Sequence, residues 1–197
     1  SAQTCTNGVA CTLTDVGFSK PGYTFAGWAK TSSGSKAYNN KASVTLTEDI
    51  TLYAKWSANS YTIAFNGNGN TGGSTANASC TYNSNCTLTS NGFTRTGYTF
   101  AGWAKTANGS VEYSNGATVK NLTTSGTYTL YAKWTANTYS ISYHLDGGTN
   151  SSSNPSSYTY GTGVSSFSNP SKANYSFDGW DKESSFTNKV TSISSTS

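Results

Sequence analysis

Hydrophobic and polar residues alternate along several short segments of the chain. In Tyr61–Phe65 the large apolar residues occupy every second position, and in Leu52–Trp56 the residues Leu, Ala and Trp do so. A period of two residues predicts strands with one buried face. Asn-Gly pairs between such segments favour tight turns. The pattern predicts a mainly β chain, or an α+β chain if a short helix precedes Gly22, Gly97 or Asn174.

One sequence recurs along the chain. GYTFAGWAKT occurs from Gly22 to Thr31 and again, about 75 residues later, from Gly97 to Thr106, while a diverged copy, NYSFDGW, begins at Asn174. LYAKW closes the first two copies, and an intervening Gly- and Asn-rich stretch leads to Tyr38, Tyr113 or Phe186. This period exceeds that of solenoid repeats and fits a small domain. The repeated aromatic residues are Tyr23, Phe25, Trp28, Trp56, Tyr98, Phe100, Trp103, Trp134, Tyr175, Phe177 and Trp180.

These repeats predict three domains joined like beads on a string. The first covers 1–56 and lacks an opening strand, the second is complete over 61–134, and the third covers 139–197 and lacks a closing strand. The joints between them, 57–60 and 135–138, are too short to let neighbouring domains tumble freely. We therefore expect a semi-extended array of tandem modules.

The four cysteines lie in two pairs with the same spacing. Cys5 and Cys11 enclose five residues, as do Cys80 and Cys86. A tight hairpin of that length predicts a cross-strand disulfide in each pair. A zinc site is the weaker interpretation, because zinc ligands are usually spaced by two to four residues and the chain has one histidine. Disulfides indicate an oxidising, extracellular compartment.

Few residues are available for chemistry. The chain has eight carboxylates and one histidine, His144, which we place on the surface. Asp178, Asp181 and Glu183 are calcium-type ligands whose spacing fits no calcium loop, so we predict no metal, cofactor or enzymatic activity. The basic residues are scattered, which argues against a nucleic-acid partner, and no apolar run is long enough for membrane insertion.

The repeated GYTFAGW and TLYAKW motifs resemble the Listeria-Bacteroides repeat, known as the B repeat in internalin surface proteins. The resemblance covers essentially the whole chain. It implies compact, ubiquitin-like β-grasp modules in tandem on a bacterial cell surface, with no catalytic residues. The cysteine pairs are unusual for that family.

Two functions follow as hypotheses. The first is an extracellular structural or adhesive protein, a stalk or fibre subunit whose strand-deficient end modules promote head-to-tail strand pairing between chains. The alternative is a carbohydrate-binding module that stacks glycans on exposed Trp and Tyr, for which Trp28, Trp103 and Trp180 are candidates unless they fill the core. Neighbouring repeats, glycans and host or cell-surface proteins are the expected partners.

Overall fold

Residues 2–196 are described by a computed structural model. Ser1 and Ser197, the outermost positions of the predicted first and third domains, lie outside this range. The described residues form β-strands and no helix. The α+β alternative, with a short helix before Gly22, Gly97 or Asn174, is therefore wrong, and the described residues are all-β. Within this range there is accordingly no helix that could cross a membrane.

Each copy contributes its own set of strands. The first copy contains β1 (Ala10–Thr12), β2 (Tyr23–Ala29), β3 (Ser43–Thr45) and β4 (Tyr53–Ala58). The second contains β5 (Ser60–Asn66), β6 (Gly72–Gly73), β7 (Ala78–Thr81), β8 (Cys86–Thr87), β9 (Phe93–Thr94), β10 (Tyr98–Ala104), β11 (Thr118–Val119) and β12 (Gly126–Ala136). The third contains β13 (Thr138–Ser140), β14 (Ser157–Thr159), β15 (Trp180–Asp181) and β16 (Lys189–Val190).

The chain divides into two compact units. One comprises the chain up to Asn66 with Thr75–Ser90 and Asn115–Leu130. The other comprises Gly67–Ser74, Asn91–Ser114 and the chain from Tyr131 onward. The second copy therefore contributes to both units.

The two repeated motifs pair with each other in the same antiparallel register in the first two copies. Phe25 lies opposite Trp56 in the β2–β4 pair, and Phe100 lies opposite Trp134 in the β10–β12 pair. A bulge follows each Phe, where Gly27 and Gly102 have φ angles of 135° and 145° that other residues rarely adopt. In the second copy the strands form a sheet in the order β10-β12-β5-β7, so its first and last long strands are neighbours.

The buried side chains are distributed unevenly among the copies. Buried apolar residues of the first copy are Leu13, Ala29 and Val44. Those of the second are Tyr61, Ile63, Cys80, Leu88, Trp103, Ala104, Val119, Leu130 and Ala132. The described part of the third copy has none. The hydrophobic core therefore belongs mainly to the second copy.

Both predicted disulfides are present. Cys5 is bonded to Cys11 and Cys80 to Cys86, with Cα atoms 5.9 and 5.6 Å apart. The predicted cross-strand geometry is wrong in detail, because β7 pairs with β5 whereas β8 pairs with β11. The Cys80–Cys86 bond thus crosses a turn and links strands that belong to two different sheets.

Candidate functional site: the joints between copies

The joints are shorter in the structure than the sequence predicts. β4 ends at Ala58 and β5 begins at Ser60, so one residue, Asn59, separates them. The second joint likewise consists of Asn137 alone, between β12 and β13. Consecutive copies are therefore joined by nearly continuous extended backbone.

Asn59 is hydrogen-bonded to both copies that it joins. Its N–H donates to the Gly22 carbonyl of the first copy at 2.9 Å, and its carbonyl accepts from the Tyr82 N–H of the second copy at 2.8 Å. The Thr24 hydroxyl donates to Asn59 Oδ1 at 2.7 Å, and Asn59 Nδ2 donates to the Thr124 carbonyl at 3.2 Å. These bonds occupy the backbone and side-chain polar groups of the joint residue.

Asn137 repeats this arrangement at the second joint. Its N–H donates to the Gly97 carbonyl at 2.9 Å, and its carbonyl accepts from the Tyr160 N–H at 2.9 Å. The Thr99 hydroxyl donates to Asn137 Oδ1 at 2.7 Å. Both joints therefore use a Gly and a Thr from the preceding copy, the joint Asn, and a Tyr from the following copy.

The tyrosine from the following copy also packs against the preceding one. The Tyr82 ring meets the Tyr23 ring edge to face with centroids 5.5 Å apart, and Tyr160 meets Tyr98 at the same separation. These geometries are favourable for aromatic pairs. The Arg95 guanidinium also stacks on the Tyr98 ring, with its central carbon 4.0 Å from the ring centroid.

Both glycines of the joints are required sterically. A Cβ on Gly22 would overlap the Tyr82 ring, and one on Gly97 would overlap the Tyr160 ring. Both glycines also have positive φ angles, 76° and 74°. Each tyrosine ring thus occupies the space that a side chain at the glycine position would need.

The joint residues recur in phase with the repeat, which is a sequence signal that the motif search missed. SAN before Ser60 and TAN before Thr138 recur in phase with the repeat, and Tyr82 recurs as Tyr160. The position of Gly22 and Gly97 is Asn174 in the third copy, and the position of Tyr82 is Asn7 in the first. Tyr175, the counterpart of Tyr23 and Tyr98, is 70% exposed. The complete set of joint residues therefore occurs at the two internal boundaries.

The repeated tryptophans pack within their own copies. Trp103 has no exposed surface and contacts Phe100 with ring centroids 4.9 Å apart. Trp56 contacts Phe25 at 5.6 Å, and Trp134 donates its indole N–H to the Gly67 carbonyl at 2.9 Å. A tryptophan without exposed surface offers no platform for a sugar.

The third copy departs from the pattern predicted for its aromatic residue. Trp28 and Trp103 bridge to Tyr38 and Tyr113, as the motif suggests. Trp180 instead pairs with Val190, and Phe186 is 76% exposed. The predicted correspondence of Phe186 with Tyr38 and Tyr113 is therefore wrong.

The acidic residues of the third copy are engaged by neighbouring donors. Asp178 accepts a hydrogen bond from Lys189 Nζ at 2.7 Å, which raises the pKa of Lys189. Asp181 accepts from the Asn188 N–H at 2.9 Å. Across residues 2–196 there is no cluster of three or more His, Cys, Asp or Glu side chains that could hold a metal ion.

The Listeria-Bacteroides repeat domain matches the chain three times, over residues 1–55, 61–133 and 139–197. The chain belongs to this family. The family match thus supports the tandem repeats independently of the two repeated motifs.

Curated relatives are about one third identical to the chain over the aligned residues. A putative membrane protein of Evansella cellulosilytica is 32% identical over 161 residues, covering 82% of this chain and 23% of that protein. A putative Gly-rich membrane protein of the same organism is 32% identical over 178 residues, covering 86% and 20%. Internalin H of Listeria monocytogenes is 35% identical over 122 residues, covering 60% and 20%. The chain spans less than a quarter of each of these proteins, and no solved structure matches it.

Proposed function

We propose that the chain is a stalk-forming section of an extracellular bacterial surface protein. Family membership and the similarity to internalin H and to two proteins described as membrane proteins support a surface location. The two disulfides support an oxidising compartment outside the cytoplasm. The stalk positions other parts of the protein away from the surface and requires no catalytic residues.

The joints are the observation on which the stalk role rests. A flexible linker rich in Gly and Ser allows two domains to reorient freely. Here a single Asn separates consecutive strands, and that Asn is hydrogen-bonded to both copies. The Tyr82 and Tyr160 rings add aromatic contacts across the same joints. Bending at a joint would break these bonds and contacts together.

Each copy is, in this proposal, a β-grasp module reduced to strands and turns. The support comes from the second copy, in which β5 and β12, its first and last long strands, are neighbours in the sheet. A β-grasp sheet places its first and last strands side by side in this way.

The stalk role is tested by measuring how freely two copies reorient. Spin labels introduced through a non-canonical amino acid at Ser33 and Ser110, both exposed, avoid exchange with the disulfides. We expect the distance between the two labels, measured by pulsed electron paramagnetic resonance, to have a narrow distribution with the unchanged joint and a clearly broader one after Tyr82→Ala. Tyr53→Ala, which removes an exposed tyrosine away from the joint, is the matched control. An equally broad distribution before and after Tyr82→Ala would refute the stalk role.

Head-to-tail self-association is a second candidate that unpaired strand edges support. In the second copy β12 lies between β10 and β5, but in the described first copy its counterpart β4 pairs with β2 alone. An unpaired edge offers backbone N–H and C=O groups to another strand. Sedimentation velocity over a wide concentration range tests this candidate, because strand pairing between chains requires the average mass to rise with concentration.

Carbohydrate binding has less support. Trp103 is fully buried, and the exposed tyrosines among residues 2–196 are Tyr53, Tyr139 and Tyr175. Glycan arrays test carbohydrate binding. Binding to host or cell-surface proteins requires a separate screen.

A further inference from the structure

Tyr82, the tyrosine of the first joint, lies inside a loop that a disulfide closes. Cys80 and Cys86 are the ends of this loop, and their Cα atoms are 5.6 Å apart. Residues 80–86 are called the tyrosine loop below. From this loop the Tyr82 N–H donates to the Asn59 carbonyl at 2.8 Å, and the Tyr82 ring packs against the preceding copy. The disulfide therefore closes the segment that connects the first two copies.

The two ends of the tyrosine loop are not paired with each other by their backbones. Within residues 2–196 β7 pairs with β5, whereas β8 pairs with β11. Inside the loop the Ser84 N–H donates to the Thr81 carbonyl at 3.1 Å, and the Asn83 N–H donates to Asn121 Oδ1 at 2.6 Å. The disulfide is therefore the direct link between the two ends of the loop.

The second joint uses the same loop position without a disulfide. The loop that carries Tyr160 has Tyr158 and Val164 at the two cysteine positions. Val164 exchanges two backbone hydrogen bonds with Ile193, at 2.9 and 2.8 Å. The Tyr158 ring packs on the Tyr139 ring with centroids 5.3 Å apart. Packing and backbone pairing hold this second loop, so the position of its tyrosine does not depend on a bond that thiols can break.

The two cysteines of the tyrosine loop differ in exposure. Cys80 is 4% exposed, whereas Cys86 is partly exposed, so a thiolate of an external dithiol reaches the Cys86 sulfur more readily. The new sulfur–sulfur bond forms at Cys86 as the Sγ–Sγ bond breaks, and Cys80 leaves as a thiolate that takes up a proton. The second thiolate of the reductant then displaces Cys86, which is protonated in turn. The dithiol is oxidised to a disulfide as the protein disulfide is reduced to two thiols.

We propose that the Cys80–Cys86 disulfide controls the stiffness of the first joint. With the bond intact, the closed loop holds the Tyr82 ring against Gly22 and Tyr23. Reduction by a dithiol removes the loop constraint, so Tyr82 loses its fixed position and the joint loosens. The second joint keeps its stiffness. The inference rests on the stalk function proposed above and makes one joint of the stalk responsive to thiols in its surroundings.

The test compares Gly22 and Gly97, the glycines against which the two joint tyrosine rings lie. It uses the whole chain with Cys5→Ala and Cys11→Ala, so that a reductant acts on the tyrosine loop alone. An aromatic ring displaces the NMR signals of the protons that it covers. We expect dithiothreitol to shift the Gly22 signals toward their positions in the Tyr82→Ala variant and to leave the Gly97 signals unchanged.

A second measurement follows the joints by pulsed electron paramagnetic resonance. Labels at Ser33 and Ser110 report on the first joint and labels at Ser110 and Ser152 on the second, and all three residues are exposed. Reduction of the same variant is expected to broaden the first distance distribution and to leave the second unchanged. The matched control is Cys80→Ala with Cys86→Ala in the chain that keeps its other disulfide. Its first distribution should be broad both before and after reduction.

The outcomes separate this inference from the stalk role. Gly22 signals and a first distance distribution that reduction leaves unchanged would overturn the inference, while the stalk role would stand. Equal changes at both joints would also overturn it, because they would show that reduction acts on the whole second copy and not on the tyrosine loop. A first distribution that is already broad in the oxidised chain would refute the stalk role, and the control of joint stiffness with it.

Discussion

The second and third copies share a sequence motif but differ in packing. The second buries nine apolar residues, among them Trp103, whereas no apolar side chain of the described third copy is buried. β10 is seven residues long, but β15 has two. In the second copy β12 packs Leu130 and Ala132 into the core beside this motif. Burial of the motif therefore depends on the strands that pack against it and not on the motif alone.

The largest expected effect is the loss of a core tryptophan. Trp103→Ala removes a fully buried indole and is expected to destabilise the second copy by about 3–5 kcal/mol. Trp180→Ala is expected to cost far less, because Trp180 is only half-buried. Urea unfolding followed by NMR signals of each copy measures the two effects. Similar losses in both copies would show that the two tryptophans are equally important for stability, whatever their burial.

Removal of the Cys80–Cys86 disulfide should lower the free energy of unfolding of the second copy by about 2 kcal/mol and leave that of the third unchanged. Replacing Cys80 and Cys86 by Ala loses the constraint of a short closed loop, worth about 2 kcal/mol in the chain-entropy model. The third copy has Tyr158 and Val164 at these positions and no disulfide. A reducing agent is therefore expected to shift the unfolding midpoint of the second copy and leave that of the third in place. The control is the double variant, whose second-copy signals should not respond to the reductant because its remaining disulfide, Cys5–Cys11, lies in the first copy.

Gly97→Ala tests the joint that connects the two copies. A Cβ there meets the Tyr160 ring and is strained at positive φ, so a loss of about 1–2 kcal/mol is expected. Gly147→Ala is the matched control, because Gly147 has a similar φ of 80° but nothing within 4 Å of an added Cβ. The Tyr160→Ala background should reduce the cost of Gly97→Ala to that of the control. A cost that Tyr160→Ala leaves unchanged would show that the ring contact is unimportant.

Local patterns predicted much of the fold. Alternation in Tyr61–Phe65 marks β5, and two cysteine pairs with equal spacing give the two disulfides. Both depend on residues close together in sequence. Residues of the joint were not predicted, because Gly22, Asn59 and Tyr82 are distant in sequence and act only when brought together.

The missed features of the third copy have the same physical origin. In the sequence Phe186 aligns with Tyr38 and Tyr113, yet in the structure the Phe186 side chain is exposed. Whether an aromatic residue becomes buried depends on the strands that pack against it, which the motif alone does not specify. The sequence predicts no metal at Asp178, but it does not reveal that this residue contacts Lys189, eleven residues away.

The smallest expected effect is a pH dependence confined to the third copy. Burial raises the pKa of Tyr143, and its hydroxyl donates to the Pro155 carbonyl at 2.7 Å. Because the pKa is higher in the folded state, the stabilisation is complete below the ordinary tyrosine pKa and is lost as pH rises through the folded value. The counterpart in the second copy, Phe65, does not titrate. Tyr143→Phe should therefore remove this alkaline loss, measured by following third-copy NMR signals between about pH 9 and 12. An unchanged alkaline transition in Tyr143→Phe would assign it to another group.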